Sequence, residues 1–280
     1  MIQNEAVRDL AWLLDSKWDL LDEISEDHNT YRKYAAPNSH TIQDWLLQLD
    51  AAPTKLEQAI AAEGHKRLGL YFETLIAFYF DHCPKLLWSL TARNRQIIEG
   101  PRTIGELDFL LDTPEGSKHL EAAVKFYLGY QQEGPVRWIG PNGKDRLDLK
   151  LKHMATHQLP LGKPYAAESI YWLKGMLFQP WQTQLTLPQG IQKNVAKYSW
   201  IYVSDFVHSN LQVEKNWRIL PKLRWLTGFP SMPEKEAPLD LDAILEEINL
   251  SGRPQMFSET ETEERLMIVH DSWPKISPTK

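Results

Sequence analysis

Four charged residues, Glu106, Asp108, Glu121 and Lys125, stand in the otherwise largely apolar stretch GELDFLLDTPEGSKHLEAAVKFYLGY. The turn-forming residues TPEGS in its middle predict a hairpin of two antiparallel strands. Side chains alternate across a strand, so Glu106 shares one face with Asp108, and Glu121 shares one face with Lys125. Two registers bring all four to the same side of the sheet. In one register Asp108 lies opposite Glu121, and in the other Glu106 lies opposite Lys125.

Two explanations fit these charges. They could line the solvated face of a half-exposed hairpin, where cross-strand charge pairs contribute a few tenths of a kcal/mol. Alternatively, the neighbouring runs FLL, AAV and FYL indicate burial on both faces, and buried acids require a metal, another cation or a raised pKa. Clustered carboxylates suit a hard cation, Mg²⁺ or Mn²⁺, better than zinc, which prefers His and Cys ligands.

The elements that must position these charges are predicted from the spacing of apolar residues. The first 60 residues have helical spacing in NEAVRDLAWLLDSKWDLLDE and SHTIQDWLLQLDAAP. One or two helices follow in TKLEQAIAAEGHKRLGLYFETLIAFYFDHCP, which carries Glu73 and should end at Cys83, because a residue before proline leaves the helical region. The runs RNRQIIEG, IGELDFLLD and KHLEAAVKFYLGY then predict an antiparallel meander.

After the meander, DRLDLKLKHMATHQLPLG predicts a helix that ends at Pro160. The aromatic-rich runs SIYWLKGMLFQPW, SWIYVSDFVHS and NWRILPKLRWL predict further strands, as does RLMIVHD, and LDAILEEI predicts a loop or a short surface helix. The whole predicts an α/β (α+β-like) fold, a mixed central sheet flanked by helices. Its predicted parts are an N-terminal helical cap (1–60), a core of helix, three strands and helix (61–165), an aromatic-rich β extension completing the same domain (166–232), and an acidic segment with a terminal strand (233–280).

Composition predicts a globular cytoplasmic protein without a membrane span. The 280 residues are 42% hydrophobic, enough for a core, and the longest apolar run is well short of the roughly 20 residues that a membrane helix needs. The N-terminal stretch carries acids where a signal peptide is basic, and the single cysteine, Cys83, has no internal disulfide partner. The net charge is -6, but residues 234–264 hold ten acids against two basic residues, so the remainder is slightly positive.

The order of these elements resembles that of a known superfamily. The chain is similar to the PD-(D/E)XK nucleases in the order of five elements. These are a helix with Glu73, a strand, a strand with the G-x-x-D of Gly105 and Asp108, a strand with an acid and Lys125, and a further helix. This likeness covers roughly residues 66–160. The chain also resembles an uncharacterised bacterial branch assigned there, in which VRDLAW, LGLYFE, GELDFLL, HLEAAVKFYL, GPNGKDRLDLKLKHMATHQLPLG and LPKLRWL recur in this order.

The resemblance implies a restriction-endonuclease-like core that hydrolyses phosphodiester bonds in nucleic acid, with DNA as the expected substrate. It assigns Asp108 as the metal-binding acid of the second strand, Lys125 as the lysine of the third, and Glu73 as the helix acid. Gln158 resembles the glutamine that some relatives place near the scissile phosphate, although an ordinary polar helix residue explains it equally well. Mg²⁺ or Mn²⁺ would activate a water, and the lysine would orient that water or stabilise charge on the phosphorane.

The chain departs from the superfamily at one position. The second acid normally lies two residues before the lysine, where this chain has Ala123. Glu121 lies four residues before Lys125, about 13 Å away along an extended strand. Either Glu121 or Glu106 therefore takes over the metal, or the protein is a degenerate member that binds nucleic acid or a protein partner without cleavage.

Other motifs are weaker. Lys144, Arg146 and Lys150 belong to a segment with a modest basic excess and are predicted to contact a phosphate backbone, although a solvated helix face explains them as well. HMATH has the histidine spacing of a zinc helix, but Met154 stands where a metalloprotease needs glutamate. The sequence has no G-x-S-x-G, P-loop or G-x-G-x-x-G, and Cys83 is expected to be a buried small hydrophobe.

Overall fold

The computed structural model is a mixed α and β structure. It describes residues 2–26, 29–37, 39–64, 66–84, 86–211, 217–228, 241–259, 262 and 264–274. The helices are α1 (Glu5–Leu14), α2 (His40–Ala51), α3 (Thr54–Glu63), α4 (Leu68–His82), α5 (Leu147–His153), α6 (Leu159–Leu161), α7 (Val203–His208) and α8 (Leu241–Ser251). A π-helical turn, Met154–Gln158, joins α5 to α6. Short 3₁₀ turns occupy Ser16–Trp18 and Lys222–Arg224.

The strands form one small sheet and one large sheet. They are β1 (Glu23–Glu26), β2 (Asn29–Arg32), β3 (Ser89–Glu99), β4 (Arg102–Asp112), β5 (Lys118–Tyr130), β6 (Arg137–Ile139), β7 (Glu168–Pro180), β8 (Lys197–Tyr202), β9 (Trp217–Leu220), β10 (Gln255–Glu259) and β11 (Arg265–Val269). Strands β1 and β2 pair with each other. Among the described residues the large sheet has nine strands in the order β3-β4-β5-β7-β8-β11-β10-β9, with β6 paired to β5.

The large sheet is mixed, which confirms the predicted fold class. Strands β3, β4 and β5 form an antiparallel meander, as predicted, and β9, β10 and β11 are also antiparallel neighbours. Strands β7, β8 and β11 run parallel. By compactness the chain divides into two units, the first comprising residues 1–124, 151–175 and 189–195, and the second comprising residues 125–150, 176–188 and 196–280.

The helices of the first unit follow local sequence signals. Helix α1 begins where the Asn4 side chain accepts the Val7 N–H, which satisfies one of the free donors of the first turn. Helix α4 is buried on nearly all sides and ends before the Cys83–Pro84 step, both as predicted. Cys83 itself is buried, and this burial raises the pKa of its thiol to about 11, in agreement with the role of a small hydrophobe.

The second unit has its own hydrophobic core. Ile201, Phe206, Ile248, Phe257 and Ile268 bring together β8, α7, α8, β10 and β11. None of the helices in the described part of the chain is both long enough and apolar enough to cross a bilayer.

Some elements differ from the sequence predictions. The first 60 residues are not wholly helical, because the Asp15 side chain caps a 3₁₀ turn after α1 and the β1–β2 hairpin follows. SWIYVSDFVHS, predicted as a strand, divides into β8 and α7, and NWRILPKLRWL ends as a strand before Pro221, which has no N–H for the ladder. Pro160 lies inside α6 rather than ending the helix, since a first-turn N–H needs no partner.

Candidate functional site

The β4–β5 hairpin adopts one of the two predicted registers. Phe109 pairs with Leu120, and the next two pairs toward the turn follow the same register, which is the predicted register with Asp108 on the side of Glu121. At this point a side chain replaces the backbone acceptor. The Ala122 N–H donates to Oδ2 of Asp108 at 2.9 Å. Asp108 is therefore held against β5 next to Glu121, and the two acids come from neighbouring strands of the first unit.

Glu73, on α4, interacts with Asp108. Its side chain is partly buried, and burial, followed by the negative charge of Asp108, raises the pKa of Glu73 to about 7. The exposed Glu106 adds to this effect, while a hydrogen bond from Asn94 and the charge of Arg93 oppose it. The structure thus brings Glu73, Asp108 and Glu106, all predicted from the sequence, into one group of interacting carboxylates.

Asn94 on β3 is part of this group and was not predicted. Its Nδ2 donates to Oε2 of Glu73 at 3.4 Å. It lies between Arg93 and Arg95, whose partners on β4 are Phe109 and Leu107, the two residues that flank Asp108. Its φ is +51°, a left-handed conformation inside a strand. The only sequence signal is that Asn tolerates this conformation better than other side chains.

Glu121 lies at the centre of a buried polar cluster. The carboxylate is 1% exposed, and Nε2 of Gln158, from the π-helical turn, donates to its Oε1. Nε2 of His119 lies 3.9 Å from its Oε2, and Nδ1 of His119 lies 3.2 Å from Oγ of Ser169. Burial lowers the pKa of His119 to about 4, so the imidazole is neutral at pH 7. Gln158 and Glu121, both predicted, are therefore in contact.

His119 and Gly162 are further members of this cluster that sequence reasoning missed. His119 precedes Glu121 by two residues on β5, and this strand spacing is the signal that could have found it. Gly162 leaves room for the imidazole, since a Cβ at that position would overlap His119 and Ser169. No local pattern marks Gly162, because the overlap depends on residues far away in the sequence.

The predicted cations belong to the second unit. Lys125 donates through Nζ to Oδ2 of Asp145 at 2.6 Å. Nε of Arg146 donates to Asp148 at 3.0 Å, and a second guanidinium nitrogen contacts the same carboxylate. Lys144 is exposed and Lys150 is half-buried. The contact of Lys144, Arg146 and Lys150 with a phosphate backbone remains a prediction.

The residues of this site could supply only some of the ligands of a hard divalent cation, and waters would supply the rest. Among the described residues no group of three or more His, Cys, Asp or Glu could hold a metal. Mg²⁺, however, normally keeps several waters and takes one or two carboxylates. Glu73 and Asp108 would supply those carboxylates, and the amide oxygen of Asn94, whose nitrogen contacts Glu73, is inaccessible to solvent and accepts no hydrogen bond from any described residue. This donor set is all oxygen, which suits Mg²⁺ or Mn²⁺.

The histidines of HMATH do not form a zinc site in the described structure. The rings of His153 and His157 stack with their centroids 5.0 Å apart, and Nε2 of His157 lies 3.0 Å from the Ile104 carbonyl oxygen. Nε2 of His157, one of the two imidazole nitrogens that such a zinc site needs, is therefore engaged with the backbone of β4.

Fold and site together define an α and β protein built on a large mixed sheet, with a group of carboxylates on the meander of its first unit. Residues 8–271 match the family model described as Domain of unknown function (DUF1853), and the chain belongs to that family. No curated protein and no solved structure matches the chain. The family match confirms the predicted membership of a family of unknown function. It carries no nuclease assignment, so the likeness to the PD-(D/E)XK superfamily stays a prediction.

Proposed function

We propose that this chain is a metal-dependent nuclease that hydrolyses phosphodiester bonds of DNA at the carboxylates of its first unit. The supporting observation is that Asp108 of β4 interacts both with an acid of α4 and with the backbone of β5. Its charge acts on Glu73 of α4, and its carboxylate binds the backbone beside Glu121 of β5. Interacting carboxylates repel one another unless a proton or a cation intervenes, and Mg²⁺ bound by one or two carboxylates is common at sites for phosphate chemistry.

Each residue has a distinct role in this proposal. Glu73 and Asp108 would hold Mg²⁺ or Mn²⁺, which when bound polarises a phosphate oxygen and lowers the pKa of a coordinated water. The Ala122 N–H fixes the rotamer of Asp108, and Gln158 fixes Glu121. Preorganised groups of this kind need not reorient as charge develops on the phosphate.

The cations of the second unit would serve the substrate. Lys125, on the same strand as Glu121, corresponds in the resemblance to the lysine that stabilises charge on the phosphorane. Lys144, Arg146 and Lys150 would contact phosphates of the DNA backbone, an interaction that weakens as salt increases.

The test is cleavage of single-stranded, duplex and branched DNA by purified protein with Mg²⁺ or Mn²⁺. We expect Asp108→Asn, which keeps an oxygen for the Ala122 N–H, to lose at least about 100-fold in rate. Changing a group that only supports a metal ligand already costs about 10- to 100-fold, and loss of the ligand itself should cost no less. Asp112→Asn is the matched control, because Asp112 is an exposed acid on the same strand, and this variant should cleave normally. Absence of cleavage of all three substrates with both metals would refute the proposal, as would full activity of Asp108→Asn.

A second candidate is a protein of the same fold that binds nucleic acid without cleaving it. Two features favour it, namely Ala123 at the usual position of the second acid and the close ion pair of Lys125 with Asp145. This candidate predicts salt-dependent DNA binding that Asp108→Asn leaves intact or strengthens, with no cleavage by the wild type. Fluorescence anisotropy of labelled DNA, with the cleavage assay run in parallel, separates the two candidates.

A further inference from the structure

Asn94 combines two features that are uncommon for a residue inside a strand. The first is its left-handed backbone, with φ at +51° in the middle of β3. Left-handed residues other than glycine are uncommon and tend to occur at functional sites. Here the unusual backbone occurs where β3 passes Asp108 of β4, between the pairs Arg93–Phe109 and Arg95–Leu107. The irregularity and the acidic group therefore coincide.

The second feature is the state of its side-chain amide. Nδ2 donates to Oε2 of Glu73, which fixes the orientation of the amide, because the reverse orientation would set oxygen against a carboxylate. The oxygen, Oδ1, is then inaccessible to solvent and has no hydrogen-bond partner among the described residues. Buried polar atoms nearly always have a partner, and exceptions often mark the place of an ion or a water.

The chemistry of this oxygen matches the needs of the site. An amide oxygen is a hard neutral donor of the type that binds Mg²⁺, Mn²⁺ and Ca²⁺. It adds a ligand without adding a negative charge, at a position where Asn94 contacts Glu73 and lies between the strand pairs that flank Asp108. The described residues contain no set of three acids, His or Cys that could hold a metal, and an amide oxygen is a ligand outside those residue types that can supplement two carboxylates.

We infer that Asn94 supplies an amide oxygen as the third protein ligand, beside Glu73 and Asp108, for the divalent cation of the proposed site. This inference rests on the proposed function. The alternative is that Asn94 serves the strand geometry alone, since Asn is one of the residues that tolerate a left-handed backbone.

Two substitutions of Asn94 distinguish a role in the backbone geometry of β3 from a role as metal ligand. Asn94→Gly keeps the left-handed conformation, which glycine adopts readily, but removes the oxygen. Asn94→Asp keeps both the tolerance of that conformation and an oxygen at the same distance from the main chain. Gln96→Ala is the control, because Gln96 is an exposed amide on the same strand.

The measurement is Mn²⁺ binding to the full chain without DNA, by isothermal titration calorimetry and by the shift in melting temperature on adding Mn²⁺. We expect Asn94→Gly to fold normally in circular dichroism but to bind Mn²⁺ at least about 10-fold more weakly, because loss of a ligand should cost no less than loss of a group that only supports one. Asn94→Asp should bind at least as tightly as the wild type, and Gln96→Ala should bind equally well.

Two results would overturn the inference while the proposed function stands, since wild-type cleavage and its dependence on Asp108 are measured separately. One is wild-type Mn²⁺ affinity in Asn94→Gly. The other is an equal loss of affinity in the folded Asn94→Gly and Asn94→Asp variants, which would mean that the amide acts through geometry and not as an oxygen donor. If the wild type neither binds Mn²⁺ nor cleaves DNA, both proposals are overturned.

Discussion

Replacing Glu73 by glutamine should change how the stability of the protein depends on pH. In the fold, burial and the charge of Asp108 raise the pKa of Glu73 from its ordinary 4.5 to about 7. A carboxyl whose pKa is higher in the folded than in the unfolded chain binds its proton more tightly when folded. Its contribution to stability is therefore fully present below pH 4.5 and is lost as the pH rises to about 7. Glutamine has no proton to lose, so the variant should not show this decline.

The size of the effect follows from the same pKa values. Each pH unit between 4.5 and about 7 is worth about 1.4 kcal/mol, which gives an upper bound of about 3 kcal/mol. Glu73 is only partly buried, and solvent screening reduces the expected change to about 1–2 kcal/mol. His119 acts in the opposite direction, because burial lowers its pKa from 6.5 to about 4, so its contribution to stability is lost as the pH falls through that range. Subtracting the stability of Glu73→Gln from that of the wild type at each pH removes the contribution of His119 and leaves that of the Glu73 carboxyl.

Urea unfolding at about pH 5 and about pH 7.5 measures this difference. The stability of Glu73→Gln relative to wild type should rise by about 1–2 kcal/mol between the two pH values. Asp108→Asn should show a smaller pH dependence than wild type, because it removes the second cause of the raised pKa, and Asp112→Asn should behave as wild type. Identical pH dependence of wild type and Glu73→Gln would show that Glu73 is an ordinary solvated carboxyl, and the convergence of acids around Asp108 would then be refuted.

Two further substitutions test the packing of the first unit. Gly162→Ala should destabilise the protein by about 1–3 kcal/mol, because the new methyl overlaps His119 and Ser169. Gly69→Ala on α4 meets nothing within 4 Å and should stabilise the protein by up to about 1 kcal/mol. Thermal melts compare the two variants, and equal melting temperatures would contradict the crowding at Gly162. Lys174→Met should cost about 3 kcal/mol or more in urea unfolding. The buried Lys174 Nζ lies 2.7 Å from Oδ1 of Asp19 and donates to the Asp15 carbonyl oxygen at 2.8 Å, so the substitution leaves the Asp19 carboxylate buried beside the more distant Lys33, at 3.4 Å. Wild-type stability of this variant would refute a structural role for the pair.

The sequence predicted the meander and the central helix because their signals are local. A period of 2 in RNRQIIEG, IGELDFLLD and KHLEAAVKFYLGY depends only on neighbouring residues, and the Cys83–Pro84 step ends α4 wherever that helix packs. The predictions were less accurate where a stretch of uniform composition forms a strand in its first half and a helix in its second half. SWIYVSDFVHS has strand composition throughout, but its second half forms α7 and packs against β8 and β11. Tertiary packing overrides the β propensity of such short segments.

The candidate site shows the same limit at the level of side chains. Glu73, Asp108 and Glu106 could be singled out from residue type, strand spacing and a family resemblance. Asn94 could not, because its importance depends on a left-handed backbone and on a contact with a helix 21 residues earlier in the chain. His119 was missed because its burial, and with it the lowering of its pKa, arises from residues of other elements such as Ser169.

By itself the sequence determined the order of helices and strands around the hairpin, the mixed α and β class, and the acids available for chemistry, since all of these follow from periodicity and residue type. Only the tertiary structure decided which register the hairpin adopts, that Ala122 and Gln158 fix the carboxylates, and that an asparagine lies among them. The reason is physical: the direction of a carboxylate and its pKa are set by the groups that surround it, and those groups come from segments far apart in the chain.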